Sequence, residues 1–78
     1  MTVSEMERIA TLLKNYDSHL RDKAERYADM MSDWAEASQS ETVRYANMYS
    51  TVRVERQRVN DSLLELEFAI KQLKDKPE

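Results

Sequence analysis

From Met6 to Ala37 the apolar residues fall into two interleaved rows with a spacing of seven. Met6, Leu13, Leu20, Tyr27 and Trp34 form one row. Ile9, Tyr16, Met30 and Ala37 form the other, interrupted once, by Lys23. The spacing returns in the second half. Tyr45, Val52, Val59, Leu66 and Leu73 make one row there; Tyr49, Leu63 and Ile70 make the second, interrupted by Arg56. Rows alternately three and four residues apart lie on one stripe of a helix, the pattern of a coiled coil. The spacing predicts two helices, over about residues 3–37 and 41–75, in a single all-α domain.

The stretch WAEASQSETVRY, residues 34–45, decides how the two helices relate. The rows on either side of it are out of phase by one residue. A continuous helix would need a skip there, turning its apolar stripe by about 100°. A turn at about residues 38–40 needs no such fault. Folding the rows antiparallel about the point between Gln39 and Ser40 sets Trp34 opposite Tyr45, Met30 opposite Tyr49, Leu20 opposite Val59 and Met6 opposite Leu73. It also sets Lys23 opposite Arg56 as a polar layer in the seam. Ser38 with Glu41, and Thr2 with Glu5, have the spacing of helix-starting capping boxes. Pro77 ends the second helix, and Lys71, Lys74 and Lys76 suit its negative C-terminal end. The expected architecture is an antiparallel helical hairpin of coiled-coil type. One long helix in a parallel coiled coil is the alternative. Beside the seam, Arg26 is expected near Glu55 and Glu5 near Lys76.

A lone hairpin covers one side of its seam, and a single seam rarely offsets the entropy of ordering so many residues. More apolar surface is present to be covered. Met31 and Met48 widen the stripes, and Leu64, Phe68 and Val54 lie on the outer side of the second helix. Self-association, as a homodimer forming a four-helix bundle, is expected, with these five residues as the interface. A different helical protein could cover the same surface.

Composition narrows the chemistry. The 78 residues include no Gly, no Cys and one Pro, and the net charge is −3. Without cysteine there is no disulfide or thiolate site, and without glycine no phosphate-cradling loop. His19 is the single histidine and has no Glu-x-x-His or His-x-x-x-His spacing, so no metal, cofactor or catalytic set is expected. Trp34 is expected to close the end of the core against Tyr45. Arg44, Arg53, Arg56 and Arg58 make the start of the second helix locally basic. They are spread over three heptad positions, whereas nucleic-acid binding calls for a contiguous basic face. No apolar run exceeds three residues, so no membrane contact and a cytoplasmic location are expected. The sequence therefore points to a small non-enzymatic interaction module, an adaptor, regulator or chaperone-like subunit. The alternatives are a nucleic-acid-binding regulator using the helix 2 arginines and an obligate subunit of a larger heteromeric assembly.

Overall fold

The computed structural model describes residues 1–75, as two long helices packed along their length. Helix α1 spans Val3–Trp34 and α2 spans Gln39–Lys74. They fold back on each other as a hairpin, giving a rod of 64 × 15 × 14 Å. The chain thus turns within the central polar stretch. Pro77 and Lys76, expected to end α2 and to pair with Glu5, lie outside the described residues.

The turn works without glycine because no residue in it has a positive φ. Ala35 is still helical, at φ −51°, ψ −40°. The amides of Ala37 and Ser38 both donate to the Trp34 carbonyl, at 3.1 and 2.9 Å. Ser38 then takes an extended conformation (φ −156°, ψ 112°) and redirects the chain. Its hydroxyl accepts from the Glu41 amide at 3.3 Å, satisfying one of the free N–H groups of the first turn. Thr2 does the same for α1, accepting from the Glu5 amide at 3.1 Å. Only this half of each expected capping box forms. The Ser38 amide is already bonded to Trp34, and the Glu41 carboxylate lies 3.7 Å from Arg44 instead.

The inward face of α2 carries the two expected rows, with Val52 buried and Tyr45, Tyr49, Val59, Leu63 and Leu66 half-buried. The inward face of α1 keeps the Met6, Leu13, Leu20 and Tyr27 row but differs in the second. Ala10 and Ala24 are the buried residues there, each 6% exposed, with Asp17 and Met31 half-buried in the same row. Tyr16 of the expected row is exposed, and Ile9, Lys23 and Met30 lie at the flank. One helical residue is about 100°, so exchanging one row for its neighbour turns the α1 stripe by about 50°.

This rotation moves the centre of the hairpin to Ser38. Residues equally distant from Ser38 then face each other: Tyr27 and Tyr49, Ala24 and Val52, Leu20 and Arg56, Asp17 and Val59. Leu20, Ala24 and Val52 form the core cluster, with Tyr27, Tyr49 and Val59 packed against it. Flanking contacts fit the same centre. Glu7–Lys74 and Lys14–Glu67 pair at 3.0 and 3.3 Å on one side of the seam. Tyr16 donates to Glu55 on the other. The midpoints of these pairs fall two and a half residues beyond and before Ser38, symmetrically. Arg26 does not meet Glu55: Arg26 is exposed, off the flanks that face α2, and Glu55 accepts from Tyr16 instead.

Candidate functional site

Two features of the rod stand apart from ordinary helix packing: a charged pair within the seam and an apolar stripe on the outer face of α2.

Arg56 occupies an inward position of α2, as the heptad rows require. Its guanidinium meets Asp17, with Nε donating to Oδ1 at 3.0 Å and Nη2 facing Oδ2 at 3.4 Å. The two side chains are about a third and a fifth exposed. A planar guanidinium fits a carboxylate in this two-pronged way, and such pairs are among the stronger hydrogen bonds. The Asp17 carboxylate holds the Arg56 guanidinium above its already high ordinary value. The expected layer of Lys23 against Arg56 is thus replaced. Lys23 sits at the flank, and Asp17 supplies the counter-charge from the neighbouring row. Two like charges in one layer would repel; the 50° rotation of α1 exchanges that repulsion for an ion pair. Beside it, the Tyr16 hydroxyl bonds the Glu55 carboxylate, which raises the Tyr16 value from its ordinary range.

Among the arginines singled out in the sequence, Arg44 pairs with Glu41 within α2. Arg53 lies over the Tyr49 ring, 5.9 Å from its centroid, a cation–π contact. Arg58 is exposed and forms no ion pair among the described residues. The four do not converge on one face. Trp34 is 37% exposed at the end of α1, and the aromatic contact at that end joins Tyr27 to Tyr45, with ring centroids 6.3 Å apart. In the register centred on Ser38, Met31 rather than Trp34 lies level with Tyr45, and the Tyr45 ring reaches Tyr27 one turn further along α1.

The outer face of α2 points away from α1. Val54 is 54% exposed, Leu64 65% and Phe68 65%. Leu64 and Phe68 are one turn apart and present one continuous apolar step. Val43, 52% exposed, extends the same stripe towards the turn, a residue that pattern reading passed over because it stands alone among polar neighbours. Two shallow grooves flank Val54. One is lined by Ser50, Arg53, Val54 and Gln57, the other by Thr51, Val54, Glu55 and Arg58. Each set is four side chains of one helix at i, i+3, i+4 and i+7, the shape of a hole that receives a knob from a second helix. Met31 is instead part of the intramolecular seam, and Met48 lies at its flank, both half-buried. On α1, Leu12 is 61% exposed.

Among the described residues no three His, Asp or Glu side chains come together as metal ligands, and no helix is long and apolar enough to cross a membrane. Comparison with family models, curated proteins and solved structures gives no match to this chain.

Proposed function

We propose that this chain is a small non-enzymatic protein–protein interaction module that works through its helix faces, as an adaptor, regulator or chaperone-like subunit. In this reading two hairpins self-associate and bring four helices together. The observation that supports it is the imbalance between what the hairpin covers and what it leaves open. Among the described residues the buried side chains are Ala10, Leu20, Ala24 and Val52, two of them alanines. Val54, Leu64 and Phe68 stay more than half exposed on a face that has no intramolecular role. Burial of apolar surface, at about 25 cal/mol per Å², is the main term holding a domain of this size together. A chain this thin gains most by covering that face. The use of the helix 2 arginines on a phosphate backbone finds less support, since Arg56, Arg44 and Arg53 are engaged within the hairpin.

Sedimentation velocity over a wide concentration range, with circular dichroism on the same samples, tests the reading. A helical dimer is expected. A helical chain that remains monomeric at every concentration overturns self-association. A dimer too extended for two 64 Å rods overturns the hairpin itself.

A further inference from the structure

Charge along the outer side of α2 is divided by position. Towards the turn it carries Arg44, Arg53 and Arg58; just beyond residue 60 it carries Asp61 and Glu65, with Lys71 following near its end. The apolar stripe is divided too, with Val54 in the basic half and Leu64 and Phe68 in the acidic half. A helix face that is basic before residue 60 and acidic just beyond it complements a second copy of itself laid antiparallel about that point.

We infer that α2 is the dimer seam, its outer face packing antiparallel on the α2 outer face of a second copy about a two-fold axis near Val59. The inference rests on the self-association proposed above and adds the surface, the direction and the register. In this register Val54 faces Leu64 of the second copy, Gln57 faces Asp61, and Ser50 faces Phe68. The groove lined by Ser50, Arg53, Val54 and Gln57 lies opposite the second copy's Leu64 and Phe68. Flanking pairs follow the offset of the intramolecular hairpin, where Lys14–Glu67 and Tyr16–Glu55 lie two and a half residues to either side of the centre. The same offset sets Arg58 against Glu65 of the second copy, twice by symmetry.

Neighbouring registers do worse. Sliding one heptad towards the turn sets Arg58 against Arg58 and Arg53 against Arg53. Sliding one heptad the other way sets Glu65 against Glu65 and Asp61 against Leu64. A further heptad joins Leu64 to Phe68, but the overlap shrinks to the last few turns and leaves Val54 uncovered. The favoured arrangement is a layer of four helices, with α1 on each outer edge and the Asp17–Arg56 pair of each hairpin untouched.

Charge reversal reads the register. Arg58→Glu is expected to raise the dimer Kd by about tenfold, since two attractive pairs become repulsive. The double variant Arg58→Glu with Glu65→Arg is expected to return it to the wild-type value. Arg58 and Glu65 are exposed and unpaired with α1, and circular dichroism checks that each variant stays helical. A second readout is independent of charge. The chain has no native cysteine, so Gln57→Cys and Asp61→Cys chains mixed and oxidised are expected to form the mixed disulfide faster than either forms its own. A wild-type chain that stays monomeric overturns the self-association reading, and this inference with it. A dimer indifferent to Arg58→Glu, or one in which the mixed disulfide is not preferred, overturns the α2 seam alone.

Discussion

Asp17 is the residue on which the register turns. It is a carboxylate in a row otherwise made of Ala10, Ala24 and Met31, and it faces into the seam because Arg56 does. Removing one partner of a half-buried ion pair leaves the other without its counter-charge, which costs more than the pair contributes. Asp17→Ala is therefore expected to destabilise the hairpin by about 1–3 kcal/mol in urea unfolding. Replacing both Asp17 and Arg56 by Leu is expected to recover most of that loss, because the seam then packs as an apolar one. Lys23→Leu, at the flank, is expected to change stability by about 0.5 kcal/mol or less. A large gain from Lys23→Leu alone would place Lys23 in the seam after all. Tyr16 adds a pH dependence. The Glu55 carboxylate favours the protonated phenol, so the folded chain holds that proton to higher pH than the unfolded chain. The contribution is complete below the unfolded value of about 10 and is lost as pH rises through the folded value. Urea midpoints measured across alkaline pH are expected to fall less steeply in Tyr16→Phe than in the wild type.

At the scale of the element, α2 was legible in the sequence and α1 only in part. The α2 rows are built of Val, Leu, Ile and Tyr with one polar interruption, so apolar periodicity fixes their face. In α1 two adjacent rows compete. Ile9, Tyr16 and Met30 make the larger apolar row, but it carries Lys23; Ala10, Ala24 and Met31 make the smaller one, but it carries Asp17. Size favours the first and charge the second, and the structure follows charge. The signal was present: an arginine fixed in the facing seam calls for an acid, and Asp17 is the acid a heptad before Ala24. The outer Leu64–Phe68 step was also legible, since both fall off the α2 seam. What covers it lies between molecules, and no pattern within one helix encodes that. The turn follows the same local logic. Ser38→Ala is expected to cost about 1 kcal/mol through the lost cap. Ala37→Gly is expected to lower stability by about 0.4–1 kcal/mol rather than raise it, because no turn residue needs a positive φ and glycine only loosens the unfolded chain. Thermal or urea unfolding of the two variants checks both.

For the whole molecule, the consequence of one feature reaches beyond binding. Ser38 lies at one end of a 64 Å rod, and Thr2 and Asp75 lie together at the other. A load applied through the two ends would part the helices one layer at a time, from Met6 and Ile70 inward, instead of sliding them past each other. The rod is a zipper with its slider at the open end. The half-buried layers there, flanked only by the exposed Glu7–Lys74 and Lys14–Glu67 pairs, part first, and the Asp17–Arg56 clasp stands in front of Leu20, Ala24 and Val52. A hairpin held by its ends would thus open partway under light tension, pause at that clasp, and close again from the turn when released.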